Sequence, residues 1–101
     1  VIVMATPVYF YTMSAQMKTL IDRCCGLYTK MKNKEFYFIV TAAEDDRKLM
    51  ERTVDTFQGF LNCLENPTIK GVVYGTGVWH VGKIKDKPAL REAYEMGKEI
   101  E

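Results

Sequence analysis

Apolar residues along the chain form three nearly continuous runs, and helix-like spacing separates them. The runs are Val1–Ala5, Phe36–Thr41 and Ile69–Tyr74. Runs without polar alternation are typical of parallel strands that are covered on both faces. Each run is followed by turn-forming residues and then by a helical pattern. The sequence therefore predicts an α/β fold with the order β-α-β-α-β-α and a parallel sheet.

The first two helices follow from apolar residues that recur every three or four positions. The first is expected to begin at Ser14 or Thr12 as N-cap and to end near Gly26. The second is expected to begin with carboxylates and to end at Asn66-Pro67. The stripe of the first helix is Met17, Leu20, Ile21, Cys24 and Tyr28, and that of the second is Met50, Val54, Phe57, Leu61 and Leu64.

The third helix is predicted to begin at Pro88, because proline is favoured in the first turn. Its inner stripe is predicted to be Leu90, Ala93, Gly97 and Ile100, with Gly97 allowing close approach to the sheet.

A three-stranded sheet has two edges, and the run Val1–Ala5 is as apolar as an internal strand. An unpaired edge of this kind favours association. We expect it to pair with a segment absent from this chain or with a second copy, as in a homo-oligomeric dimer.

Composition narrows the class of protein. The chain has 101 residues, of which 48% are hydrophobic, and a net charge of +1. Such a chain is expected to form one folded domain. The balanced charge does not indicate a basic surface of the kind that binds nucleic acid or an anionic membrane. The apolar runs are too short to span a bilayer. Three cysteines without a C-x-x-C motif favour a reducing, cytoplasmic setting, and the single histidine, His80, gives no expectation of a metal site.

Two longer motifs carry a family resemblance. The stretch TPVYFYTMSAQMKTLIDR begins at Thr6, and the tail GTGVWHVGKIKDKPALREAYEMGKEI begins at Gly75. Both resemble segments of the flavodoxin-like NAD(P)H-dependent FMN reductases, including the iron–sulfur flavoprotein-like branch. The residues that match the first motif in order are Thr6, Pro7, Tyr9, Phe10, Ser14, Ala15, Met17, Lys18, Ile21, Asp22 and Arg23. The resemblance covers essentially the whole chain.

The resemblance implies a flavodoxin-like three-layer α/β/α fold. The three runs would be the third to fifth strands of the order 2-1-3-4-5, for which flavodoxin is a standard example. Family members begin with a strand and a phosphate-binding loop, and neither is expected within this chain. Residues 1–101 are therefore expected to be a single partial domain of that fold.

The resemblance also implies hydride transfer from NADPH or NADH through FMN to a small acceptor or a redox protein. Flavin loops lie at the carboxyl ends of the strands. The implied ring contacts are Pro7, Val8, Tyr9, Phe10 and Tyr11, and the implied secondary walls are Thr41, Ala42, Ala43, Glu44, Gly75, Thr76 and Gly77. Trp79 and His80 are candidates for contacting the substrate or partner. No protein acid, base or nucleophile is expected, because the flavin itself carries the hydride.

Other interpretations of the same residues stay open. Pro7-Val8-Tyr9-Phe10 could be a tight turn with core aromatics, and Glu44-Asp45-Asp46 could be a solvated helix start. Without a phosphate loop, the chain could be a flavin-free remnant that acts as a dimeric interaction module. A flavodoxin-type electron carrier would share the fold and lack the enzymatic hydride step.

Overall fold

The computed structural model describes residues 1–101 as a four-stranded sheet with three α-helices. The strands are β1 (Ile2–Tyr9), β2 (Thr12–Met13), β3 (Glu35–Thr41) and β4 (Thr68–Gly75). The helices are α1 (Ala15–Arg23), α2 (Arg47–Leu61) and α3 (Pro88–Lys98). The strand order is β2-β1-β3-β4, with β1, β3 and β4 parallel. The flavodoxin-like α/β fold class is thereby confirmed.

One face of the sheet carries most of the core. Phe36, Phe38 and Val40 of β3 are fully buried there, and the Phe38 ring stacks on Phe57 of α2 at 4.7 Å between centroids. Met17 and Ile21 of α1 pack against the same cluster. The predicted stripe of α2 is confirmed for Met50, Phe57 and Leu61, which are buried, with Val54 packed beside them. Leu64 is buried beyond the helix, because α2 ends at Leu61 and the predicted end at Asn66-Pro67 is wrong. Two helices thus form one outer layer.

The opposite face of the sheet packs against α3. At Gly71, a Cβ atom would lie only 2.8 Å from the Met96 sulfur, so the close approach of α3 depends on a glycine of the strand. The prediction for Gly97 is wrong, since that residue has open space around its Cα. The predicted stripe is shifted as well. Leu90 is half exposed, whereas Ala89 is buried and Met96 faces the sheet.

The first strand is longer than the sequence predicts. Its parallel pairing with β3 continues to Pro7, which lies opposite Thr41. Beyond it, Val8 and Tyr9 pair antiparallel with Met13 and Thr12. The predicted loop Thr6–Met13 is therefore a β-hairpin, and the expectation of a simple loop between strand and helix is wrong.

The helix starts follow the predicted capping. The Met17 backbone N–H donates to Ser14 Oγ at 3.3 Å, which confirms Ser14 as the N-cap of α1. Asp46 caps α2 by accepting from the Lys48 N–H at 2.9 Å. The first helix ends at Arg23 and continues as a 3₁₀ turn over Cys24–Gly26, so Tyr28 lies outside its stripe. No helix of the structure has both the length and the apolar character that crossing a bilayer requires.

Candidate functional site

The carboxyl ends of β1, β3 and β4 bring three segments to one edge of the sheet. These segments are the β1–β2 hairpin, the β3–α2 connection from Ala42 to Asp46, and the long connection between β4 and α3. Parallel strands of an α/β sheet bind their ligands at this edge. The fold therefore places the three predicted loop regions next to one another.

Backbone hydrogen bonds tie the second and third segments together. The Ala42 N–H donates to the Gly75 carbonyl at 2.9 Å, and the Val78 N–H donates to the Ala42 carbonyl at 2.9 Å. The Gly77 N–H donates to the Glu44 carbonyl at 2.8 Å. These bonds extend the pairing of β3 and β4 past the strand ends, so both walls are held in fixed register.

A cleft of about 290 Å³ opens between these segments. Its lining is mainly apolar, with one aromatic side chain from the hairpin and one from the β4–α3 connection. The lining residues are Pro7, Val8, Tyr9, Thr41, Ala42, Ala43, Val78 and Trp79. Tyr9 and Trp79 are both well exposed, at 59% and 77%. Two accessible aromatic rings beside an apolar floor suit the stacking of a planar ring system.

A second groove, of about 230 Å³, lies on the other side of the hairpin tip. It is lined by Phe10, Tyr11, Glu44, Leu49 and Met50, and it shares Val8, Ala42 and Ala43 with the cleft. The predicted ring contacts are thus divided. Pro7 and Tyr9 line the cleft, Phe10 and Tyr11 line the second groove, and Val8 lines both.

The remaining predicted residues lie around the cleft and do not line it. Gly75 packs against Thr41 and Ile84, where a Cβ atom would lie 2.9 Å from Thr41 Cγ2. Gly77 has a φ of +63°, and a Cβ there would collide with Asp45 and Lys87. Thr76 joins these two glycines. His80 is exposed, and its carbonyl accepts from the Lys83 N–H at 3.1 Å in the next turn.

The hairpin tip is held in an unusual backbone conformation. Phe10 and Tyr11 have φ values of 48° and 66°, which correspond to a two-residue turn of type I′. Asparagine and glycine are the usual residues at these positions, so two aromatic residues there carry strain. The buried Thr53 hydroxyl donates to the Tyr11 carbonyl at 3.2 Å, and the Arg52 guanidinium lies 5.4 Å from the Tyr11 ring centroid. Helix α2 therefore stabilises the turn through these two contacts with Tyr11.

Another contact holds the base of the hairpin. Thr6 is buried, and its hydroxyl donates to the Pro7 carbonyl at 2.8 Å while it accepts from the Ser14 N–H at 3.0 Å. One side chain thus connects β1 to the first residue of the α1 cap. The position of Pro7 and Tyr9 in the cleft depends on this contact.

Backbone donors around the cleft are available for a ligand. The N–H groups of Ala43, Glu44, Thr76 and Trp79 donate to no acceptor within the chain. The carbonyl oxygens and ring nitrogens of an isoalloxazine are acceptors for donors of this kind. Free donors, apolar walls and two aromatic rings together fit a flavin ring.

Few ionisable side chains belong to the cleft. No carboxylate lines the cleft, and that of Glu44, next to the lining residue Ala43, accepts from the N–H groups of Asp45 and Asp46 at 2.9 and 3.2 Å at the start of α2. Side chains of His, Cys, Asp and Glu do not gather in any group of three or more that could hold a metal ion. The cleft is therefore suited to binding and orienting a ring.

Sequence reasoning missed two lining residues, Leu49 and Met50, which line the second groove from α2. Val78 belongs to the predicted wall segment Gly75–Trp79, and it lines the cleft. No local pattern indicates that the first turn of α2 reaches the hairpin.

Comparison with known families gives a match over most of the chain. Residues 1–85 match the family model described as NADPH-dependent FMN reductase. This range includes the whole hairpin, the β3–α2 connection and every residue that lines the cleft, and it ends within the β4–α3 connection. A search among curated proteins found no match.

Proposed function

Because the chain belongs to the NADPH-dependent FMN reductase family, we propose that its cleft holds the isoalloxazine ring of FMN during reduction by NADPH or NADH. The observation that carries this proposal is the cleft itself, where the aromatic rings of Tyr9 and Trp79 flank an apolar floor at the carboxyl edge of the sheet. The flavin, when bound, supplies the acceptance and donation of hydride. The family match supports NAD(P)H-dependent flavin reduction in general, and the residue assignments are ours.

Each part of the cleft has a role in this proposal. The Pro7–Tyr9 segment, fixed by Thr6, forms one wall against the ring. The unpaired N–H groups of Ala43 and Trp79 donate to acceptors at the ring edge. The β3–α2 and β4–α3 connections are already held together by hydrogen bonds. Binding of a ring therefore costs little conformational entropy in these connections. Bound FMN would supply electrons to a small acceptor or a redox protein, which would approach Trp79 and His80 at the open side.

A titration of FMN with fluorescence detection tests the proposal. Trp79 is the only tryptophan of the chain, so its emission reports directly on the cleft. We expect FMN to quench this emission and NADPH oxidation at 340 nm to depend on added FMN. The variant Ala43→Glu should weaken FMN binding by about tenfold or more, because the added carboxylate fills the cleft and is desolvated there.

The variant Val81→Glu is the matched control. Val81 is fully exposed on the neighbouring β4–α3 connection and lines none of the described grooves. It should leave FMN affinity unchanged. Parent protein that does not bind FMN, or equal affinity of the two variants, would contradict the proposal. Flavin binding without NADPH oxidation would instead identify an electron carrier.

A second candidate function is a dimeric interaction module, and one observation favours it. The outer edge of β1, on the side away from β3, has no partner strand from Ile2 to Pro7, and Val1 and Val3 are about half exposed. Two copies could pair through this edge across a twofold axis, with or without flavin.

We also propose a cytoplasmic setting, supported by the free thiols of Cys24, Cys25 and Cys63.

A further inference from the structure

Basic residues concentrate between the end of the β4–α3 connection and the first turn of α3. The segment 83–91 has four basic residues, Lys83, Lys85, Lys87 and Arg91, and one acidic residue, Asp86, for a net charge of +3. The whole chain carries +1, so the other 92 residues carry −2. The overall balance therefore hides one strongly positive region.

Part of this segment lines a groove of about 520 Å³ beside α3. Its lining residues are Lys85, Lys87, Leu90, Arg91, Tyr94 and Glu95. Neither Lys85 nor Arg91 forms a salt bridge. The only carboxylate in the lining, Glu95, is 3.0 Å from Lys98 Nζ and is thereby compensated. The groove thus presents two uncompensated cations to solvent.

Apolar surface lies directly beside these cations. Leu90 and Tyr94 are separated by one helical turn, and both are largely exposed, at 50% and 67%. Lys98 Nζ lies 5.5 Å from the centroid of the Tyr94 ring. An exposed ring on a helix, with cations one turn away, is suited to stack on a nucleobase while the cations contact a phosphate.

The groove adjoins the proposed flavin cleft through Gly77. Lys87 Nζ approaches this glycine so closely that a Cβ there would lie 2.7 Å away, and Val78 and Trp79, the next residues, line the cleft. Lys87 is only 26% exposed and is 3.9 Å from Asp45. One short backbone segment therefore separates the basic groove from the cleft.

From this arrangement we propose that the groove binds the adenosine 2′-phosphate end of NADPH. This inference rests on the proposed function, because it assigns the donor of the same cleft. Arg91 would contact the phosphate with its planar fork of donors and Lys85 with its ammonium. Tyr94 would stack on the adenine. The 2′-phosphate is the feature that distinguishes NADPH from NADH, so the groove would give a preference for NADPH.

Two nucleotides that contain no nicotinamide test this site without hydride transfer. Adenosine 2′,5′-bisphosphate carries the 2′-phosphate, and 5′-AMP lacks it. We expect the parent chain to bind the bisphosphate about tenfold or more tightly than 5′-AMP in calorimetric titrations, because charged hydrogen bonds to the additional phosphate are strong. The double variant Lys85→Gln/Arg91→Gln should remove this difference, and Tyr94→Ala should weaken both nucleotides.

The control is Arg23→Gln, which removes an exposed arginine from the last turn of α1. It should change neither affinity. Equal affinity of the two nucleotides for the parent, or equal loss in the control and the double variant, would overturn the proposal. FMN titration is run on the same variants. Unchanged FMN binding with lost discrimination supports the groove, whereas absent FMN binding in the parent contradicts only the proposed function.

Discussion

Phe10 combines a left-handed backbone conformation with a side chain that nothing covers. Phe10 has a φ of 48°, and its side chain is fully exposed at the hairpin tip. For a residue other than glycine, the left-handed region costs about 1–2 kcal/mol. No buried apolar contact offsets that cost at Phe10. Strain at such a position is typical of a binding surface, which agrees with the groove beside the hairpin.

The variant Phe10→Asn tests this view of the turn. Asparagine adopts the left-handed region more readily, so we expect the free energy of unfolding in urea to rise by about 0.5–1 kcal/mol. Val81→Asn is the control, because Val81 is equally exposed and lacks a positive φ. It should change stability by less than about 0.5 kcal/mol. Equal shifts in the two variants would show that the turn is not strained.

Gly77 is the residue on which the contact between the cleft and the basic groove depends. It has a φ of +63°, and an added Cβ would collide with the ends of the Asp45 and Lys87 side chains. Asp45 is largely exposed and Lys87 is long and flexible, so both can move aside at small cost. The variant Gly77→Ala should therefore lose about 1–2 kcal/mol of stability from its positive φ, as should Gly82→Ala, which has a φ of +81° and no atom near. A loss in thermal unfolding that is much larger in Gly77→Ala than in Gly82→Ala would contradict this prediction.

At the scale of elements, periodicity predicted every parallel strand and α-helix but not their contacts. The stripes of α2 and the continuous run in β3 identified their buried faces correctly, because both elements lie in the densest part of the core. In α3, Leu90 and Gly97 were expected to face the sheet, whereas Ala89 and Met96 do so. Met96 can approach the sheet because β4 has a glycine, Gly71, at the contact. The pattern within α3 alone does not contain that information.

The site shows the same limit. The sequence indicated which three segments meet, because the carboxyl ends of parallel strands share one edge. It did not indicate that Pro7 continues β1, since proline within a run argues against a strand. The antiparallel return through Thr12 also had no Asn-Gly or Asp-Gly signal. The division of aromatics between two grooves follows from that turn.

The hydrogen bond between α2 and the hairpin gives a prediction for these two elements. Thr53 is fully buried, and its hydroxyl is 3.2 Å from the Tyr11 carbonyl. The variant Thr53→Val keeps the shape and removes the donor, so we expect a loss of about 1–2 kcal/mol in urea unfolding. Hydrogen exchange at the Phe10–Thr12 turn should also become faster. The matched control, Thr19→Val, removes an exposed hydroxyl that bonds to Ala15 within α1, and it should cost less than half as much. Equal costs would show that the hydroxyl does not anchor the hairpin.

Across the whole molecule, the two faces of the sheet are unequally covered. Strand β3 is fully buried on the face toward α1 and α2 and at least partly buried on the other, whereas Val3 and Ala5 of β1 are exposed on the face that α3 covers near β4. The same strand also has a free edge from Ile2 to Pro7. The outer edge of β4 is unpaired as well, but Ile69 is the one exposed large apolar side chain of that strand. We therefore expect association at β1.

The variant Val3→Lys tests association at that strand. We expect the parent to form dimers in light scattering, with pairing of β1 across a twofold axis. Two added lysines on one small sheet repel each other, and charged edge residues oppose strand pairing, so the dimer should weaken about tenfold or more. Leu20→Lys is the control, since Leu20 is similarly exposed on α1. A parent that is monomeric at all concentrations, or equal weakening in the control, would contradict pairing through β1. The cleft is lined by residues of one hairpin and two connections of a single chain. We therefore expect a monomeric Val3→Lys variant to retain FMN binding.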